Sequence, residues 1–188
     1  MSRAWLINQG FFQLSWPACV IGAAYGWLWT GLLVVGVMAL WQLNRVNRHP
    51  LDLRMIAVCL GIGLVLDTAW VQFGLLSYTL AWPVAGAAPL WIMLLWLALA
   101  LVINHSMAAF KQRLWLLALF GLVGSPFSYF AGSRFGAVEW VAPAWQVIAA
   151  TGISWAIILP FLFWLARDIP PRETAHADDA RAQPSEHA

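Results

Sequence analysis

One aspartate lies deep within a long apolar run of this chain, and its position calls for a chemical explanation. Asp67 follows Arg54 by about 13 residues, which in a helix is about 20 Å from the basic end of that run. A charge near the bilayer centre costs at least about 2.5–3.5 kcal/mol, so such residues face a bundle interior or a wet cavity. We therefore predict that Asp67 exchanges a proton or contacts a ligand. The alternative is a protonated or hydrogen-bonded aspartate that serves structure alone.

The residues around Asp67 indicate which way it faces. Gly63, Trp70 and Gly74 share its helix face. A face of small, acidic and aromatic residues is expected to look inward, against another helix or a ligand.

Potential partners for Asp67 come from a later apolar run that reaches a similar depth. Tyr129 and Ser125 are candidates for hydrogen bonds, and the long side chain of Arg134 could reach down from the outer surface. This predicts a cluster of Asp67, Tyr129 and Arg134. The alternative is that Arg134 pairs with Glu139 in the neighbouring turn.

The second residue with potential for catalysis or proton exchange is His105, between Asn104 and Ser106. It lies near the opposite face of the membrane, and its depth differs from that of Asp67 by roughly 10–15 Å. The two residues therefore cannot form a direct acid–base pair. Histidine titrates near physiological pH, which favours proton exchange. It could equally cap the negative end of its helix.

The elements that position these residues are six apolar runs. The hydrophobic fraction is 62% and only 10% of the residues are charged, against about 25% charged residues in soluble domains. Each run approaches the roughly 20 residues that cross a bilayer. We predict an all-α polytopic bundle of six transmembrane helices in residues 1–167 and a disordered polar cytoplasmic tail in 168–188. The predicted spans are 5–23, 27–43, 55–73, 90–108, 114–130 and 140–166.

The basic residues are sorted to one side of these runs. Only Arg134 falls on the other side, and cytoplasmic loops are the ones that retain Lys and Arg. This predicts cytoplasmic N and C termini in a bacterial inner membrane, with membrane lipids as surroundings and no nucleic-acid partner. The residues on the basic side are Arg3, Arg45, Arg48, Arg54, Lys111, Arg113, Arg167, Arg172 and Arg181.

The fifth run carries small residues at a period of four. Gly124, Ser128, Gly132 and Gly136 would let another helix approach closely, which predicts that this run is the central packing helix. Pro126 is expected to kink it.

The first run is predicted to be an uncleaved span, because polar residues interrupt the core that a signal peptide would need. Gln9, Gln13 and Trp16 share one of its faces, and the amides are expected to form hydrogen bonds between helices.

Cofactor and metal motifs are missing. The chain carries no nucleotide loop, nucleophile elbow or His-rich metal motif, so we predict no metal and no cofactor. Cys19 and Cys59 lie at different depths in parallel spans, which predicts two buried free thiols.

Several short motifs resemble a bacterial membrane family, domain of unknown function 2878. They are Pro89-Leu90-Trp91, Asn104-His105-Ser106, Asp67 with Gly74, and Gly124-Ser125-Pro126 followed by Tyr129, Gly132 and Gly136. The resemblance covers roughly residues 5–167. It implies no activity and no catalytic residue, but the gene neighbourhoods associated with the family favour lipid metabolism.

Three functions remain open. The first is a membrane-embedded component of lipid or fatty-acyl metabolism that binds an apolar or acyl ligand near Asp67, with Trp70 and Trp91 in the pocket and Ser125, Tyr129 and Arg134 beside it. The second is a small proton-linked transporter that uses Asp67 and His105. The third is a non-catalytic accessory subunit with a membrane partner protein.

Overall fold

The computed structural model describes residues 3–167, which form six α-helices, a short 3-10 segment and two short strands. The predicted tail, 168–188, lies outside the described residues. In chain order the elements are α1 (Arg3–Ala24), α2 (Leu28–Gln42), α3 (Asp52–Gln72), β1 (Leu76–Tyr78), α4 (Leu90–Ile103), the 3-10 segment (Ala108–Gln112), α5 (Leu114–Phe135), β2 (Val138–Trp140) and α6 (Ala144–Leu165).

Three of the described helices, α3, α5 and α6, are long and apolar enough to cross a membrane. The helices α2 and α4 are apolar but contain 15 and 14 residues, fewer than the roughly 20 that span a bilayer core. The prediction of a mostly helical protein is therefore confirmed, and three of its helices have the length and apolarity that crossing a membrane requires.

The central helix is α4 and not α5, so that prediction is wrong. Most of α4 is buried, because its sequence is apolar around the whole circumference. The small residues of α5 serve a narrower purpose. Gly121 faces the backbone carbonyl of Trp155 on α6, where a Cβ atom would not fit. The two helices therefore form a close hairpin, and most of the rest of α5 is exposed.

A two-stranded antiparallel ribbon links this hairpin to the remaining helices. β1 follows α3 and β2 follows α5, with Ser77 opposite Glu139 and Tyr78 opposite Val138. Only a loop and a turn were predicted here from the sequence. The ribbon matters for the site because it holds Tyr78 beside the end of α3.

Of the basic residues that the structure describes, all except Arg134 lie at one end of the helices, called here the basic end. The indole of Trp5 donates to the carbonyl of Ser106 at 2.9 Å, and the guanidinium of Arg167 donates to the carbonyl of Lys111 at 2.8 Å. These bonds place the start of α1 and the end of α6 beside the α4–α5 connection. Arg134 lies near the opposite end of the helices, close to the ribbon.

Candidate functional site

Asp67 is fully buried and accepts three hydrogen bonds from three different elements. The hydroxyl of Tyr78, at the end of β1, donates at 2.5 Å. The indole of Trp96 on α4 donates at 2.8 Å, and the hydroxyl of Tyr129 on α5 donates at 3.2 Å. An ionised carboxylate is an acceptor only, and three donors suit it. The cluster joins α3 to α4, α5 and the ribbon.

Gly63 makes the Trp96 bond possible. A Cβ atom at Gly63 would overlap the indole ring of Trp96, so only glycine lets that ring lie flat on α3. Asp67 comes one helical turn later on the same face and meets the indole nitrogen. Trp70 adds an edge-to-face contact with Tyr129 at a centroid distance of 5.3 Å. The prediction that this face packs inward is confirmed for Gly63, Asp67 and Trp70, but Gly74 is exposed and lies beyond the end of α3.

The structure brings together some of the predicted partners of Asp67 and not others. Tyr129 bonds to the carboxylate as predicted. Ser125 instead donates to the carbonyl of Gly121 in its own helix at 2.8 Å. Arg134 is exposed, and none of the three groups bonded to Asp67 belongs to it.

Two of the three donors, Tyr78 and Trp96, were not predicted from the sequence. The sequence signal for Trp96 is Gly63, one helical turn before Asp67 on the same face. The space beside a glycine there suits a large ring that can donate a hydrogen bond to the acid. Tyr78 had a weaker signal, because its place depends on a strand pairing between distant segments.

A cavity of about 380 Å³ lies beside this cluster, between α1, α4, α5 and α6. Trp96 and Tyr129 form part of its wall, and Trp155 of α6 stacks on Trp96 at a centroid distance of 4.8 Å. No Asp, Glu, Lys, Arg or His lines it within residues 3–167. Its volume falls in the range of small-molecule pockets, about 300–1,000 Å³, and its chemistry suits an uncharged, mainly apolar molecule.

The cavity opens sideways between α1 and α5. Four residues in its wall are also exposed: Gln13 on α1, and Phe120, Gly124 and Ser128 on α5. Gln13 and Gly124 both lie near the middle of 22-residue helices. The indole of Trp16 donates to the hydroxyl of Ser128 at 2.8 Å and so bridges the two sides of the opening.

The predicted ligand-binding residues divide into three groups. Trp91, Ser125 and Tyr129 line the cavity. Asp67 and Trp70 stand outside its lining, with Tyr129 in contact with both. Arg134 lies outside the lining, on the surface.

A second buried cluster lies at the basic end and is centred on Asp52, which the sequence analysis assigned to a loop. Its carboxylate is fully buried in the first turn of α3. It accepts hydrogen bonds from the side chains of Asn104 and His105 and from the backbone N–H of His49, each at 2.9 Å. The Asn104-His105 pair of the family motif therefore holds a buried carboxylate.

The polar network extends across the bundle from there. The amide of Gln42 lies within 3.1 Å of the His105 ring, and Asn8 donates to Gln42 at 2.8 Å. Lys111 donates to Asn104 at 2.8 Å. Some 15 residues of α3 separate Asp52 from Asp67, about 22 Å of helix. This confirms the expectation that His105 and Asp67 lie too far apart for direct proton transfer.

The two cysteines, Cys19 and Cys59, are free and buried, as predicted.

Fold and site together define a helical protein with three helices able to cross a membrane and an uncharged cavity that opens between two of its helices. The chain belongs to the family described as protein of unknown function (DUF2878), whose model matches residues 5–161. No curated protein and no solved structure matches it.

Proposed function

We propose that this protein is a six-span component of lipid or fatty-acyl metabolism in a bacterial inner membrane, and that it binds an apolar molecule in the lateral cavity. The observation that carries the proposal is the opening between Gln13 and Gly124, halfway along two helices. In a bundle that crosses the membrane, such an opening faces the hydrocarbon region. A ligand could then enter from the bilayer without passing through water.

The proposed topology rests on the basic end. Its arginines and lysine are those that the positive-inside rule places in the cytoplasm. The helices α2 and α4 would then cross as short apolar helices, with the polar network around Asp52 at the cytoplasmic side and the ribbon at the other.

Asp67 has an indirect role in this proposal. Its carboxylate holds the side chains of Trp96 and Tyr129, which form the cavity wall. We therefore assign it to positioning of the wall rather than to direct contact with the ligand.

A photoreactive hydrocarbon tests the proposal. The protein in lipid nanodiscs is irradiated with a hexadecane chain that carries a diazirine, and the labelled peptides are mapped by mass spectrometry. We expect label on the wall residues of α4 and α6, such as Trp96 and Trp155. A Gly124→Phe variant should lose it, because Gly124 borders the opening and has open space around it.

The matched control is Gly61→Phe, since Gly61 is also helical with open space around it and does not line the cavity. It should keep the wild-type pattern. Label confined to the exposed outer faces of the helices would contradict ligand binding. That result would favour an accessory subunit without a ligand, which the full set of hydrogen bonds on Asp67 already suits.

A further inference from the structure

Two polar side chains border the opening of the lateral cavity, Gln13 on α1 and Ser128 on α5. Both are exposed. The indole of Trp16, one turn after Gln13, donates to the hydroxyl oxygen of Ser128 at 2.8 Å. This bond joins the two helices at the opening, so the polar groups of Gln13 and Ser128 belong to facing helices at one site.

These two polar groups have hydrogen bonds left to form. Within residues 3–167, the side-chain amide of Gln13 has no hydrogen-bond partner, and the hydroxyl of Ser128 accepts a bond but donates none. Other hydroxyls of α5 differ in this respect, because those of Ser125 and Ser133 donate to backbone carbonyls of their own helix. An amide both donates and accepts, and the proton of the Ser128 hydroxyl is free to donate.

The proposed membrane position makes these free groups costly. Gln13 lies near the middle of the 22 residues of α1, and Ser128 lies one turn beyond Gly124 on α5. In a bundle that crosses the membrane, hydrocarbon replaces water at this depth, and a polar group without a partner in hydrocarbon is unfavourable. An uncharged polar group on a molecule bound at the opening would provide the partner.

The deeper wall of the cavity suits a hydrocarbon chain instead. The indole of Trp96 and the hydroxyl of Tyr129 donate to Asp67, and the indole of Trp91 donates to the carbonyl of Thr79. These donors are already used. No charged residue of the described chain lines the cavity, so a charged end group would have no counter-ion there.

We infer that the cavity binds a hydrocarbon chain with an uncharged oxygen at one end, as in a fatty alcohol or a fatty ester. The chain lies inside the cavity, and the oxygen lies at the opening, where it accepts from the hydroxyl of Ser128 and contacts the amide of Gln13. The inference rests on the proposed function, since it requires that the cavity be occupied from the membrane. It adds the class of ligand, its orientation and the two residues that recognise its polar end.

Competition against the photoreactive hydrocarbon tests the inference. Hexadecanol, methyl hexadecanoate, hexadecane and hexadecyl sulfate are each titrated into the nanodiscs, and the loss of label from the cavity wall is measured. With the wild-type chain, the alcohol, the ester or both should compete at about three- to tenfold lower concentration than hexadecane, the effect of one net hydrogen bond. Hexadecyl sulfate should be the weakest competitor, since a charge is costly at that depth.

The order of the alcohol and the ester identifies the polar group. A hydroxyl can accept from Ser128 and donate to the amide oxygen of Gln13, whereas an ester can only accept. A lead for hexadecanol therefore indicates a ligand with a hydroxyl end, and a lead for methyl hexadecanoate indicates an ester.

Two variants test the residues themselves. Gln13→Leu and Ser128→Ala each remove a polar group from the opening, so the advantage of the oxygen-bearing competitor over hexadecane should fall, while hexadecane competes as in the wild type. Gln9→Leu is the matched control, because Gln9 lies one turn before Gln13 on the same helix and does not line the cavity. It should retain the wild-type order of competitors.

The outcomes separate the two proposals. If the probe never labels the wall, the proposed function fails and the inference fails with it. If the probe labels the wall, the inference is overturned by a preference for hexadecyl sulfate, by equal competition from hexadecane and both oxygen-bearing chains, or by an advantage of those chains that survives both Gln13→Leu and Ser128→Ala.

Discussion

At the scale of single residues, the most informative group is the carboxylate of Asp67. Substitution by asparagine keeps the size but replaces one acceptor oxygen with a donor, so at least one of the three buried donors around it loses its partner. A buried donor without a partner costs about 1–3 kcal/mol. We expect Asp67→Asn to lower the free energy of unfolding by about that amount.

Thermal or denaturant unfolding in detergent micelles provides the measurement. Tyr129→Phe is the comparison, because among the bonds to the carboxylate it removes the longest, at 3.2 Å, and leaves the carboxylate with two donors. It should destabilise the protein less than Asp67→Asn. If Asp67→Asn unfolds like the wild type, the cluster does not hold the helices together.

The lipid composition of cells should show whether Asp67 matters for function. In a deletion strain whose lipids change, we expect wild-type protein to restore them and Asp67→Asn to restore them only in part, because Asp67 positions the cavity wall without touching the ligand. Whole-cell lipid mass spectrometry, with expression of both proteins verified, makes the comparison. No lipid change on deletion would remove the metabolic part of the proposed function.

Asp67 and Tyr129 were predicted as partners from the sequence, because the depth of each residue follows from its position along an apolar helix. The burial of Asp52 was not predicted, since a carboxylate beside Arg54 and a proline-containing loop is typical of a solvated connection. What buries Asp52 is the early end of α4 at Ile103, which turns Asn104 and His105 toward it. Such a turn depends on tertiary contacts that no local pattern records.

At the scale of elements, the packing of α4 on α3 depends on one missing side chain. Gly63→Ala should push the ring of Trp96 away from α3, since a Cβ atom there overlaps the ring, and should weaken the bond to Asp67. Two residues earlier, Gly61 has open space around it. There, Gly61→Ala should stabilise the helix by up to about 1 kcal/mol, the difference in helix propensity.

We therefore expect Gly63→Ala to lower the free energy of unfolding and Gly61→Ala to raise it, although both lie in one helix. Unfolding in the same detergent measures both changes. Equal effects would mean that helix propensity dominates and that the ring of Trp96 has room to move.

The helices themselves were largely predictable from hydropathy, with bounds displaced by a few residues. The ribbon was not, because strands of three residues carry little pattern and these pair across about 60 residues of chain. The choice of central helix failed for a related reason. Small residues show where helices can approach, but in α5 only Gly121 lies against α6, while Gly132 lies against β2 and Gly124 has open space around it. The burial of α4 follows instead from its uniform apolarity.

At the scale of the whole molecule, the proposed topology makes a prediction that labelling can test. Val46, in the α2–α3 connection, is 89% exposed, and Val84, in the segment between β1 and α4, is 60% exposed. If α3 crosses the membrane with its basic end inside, Val84→Cys should react with a membrane-impermeant maleimide in intact cells. Val46→Cys should react only after the membrane is permeabilised.

The native cysteines are suited to this experiment, since Cys19 and Cys59 are almost fully buried and should add little background. Reaction of both introduced thiols from the same side would mean that α3 does not cross. Reaction in the reverse order would keep the bundle but invert it, and would place the network around Asp52 outside. In either case the lateral cavity keeps its shape, but only a crossing bundle makes its mid-helix opening face hydrocarbon, so this measurement decides whether a ligand from the bilayer has a route into the cavity.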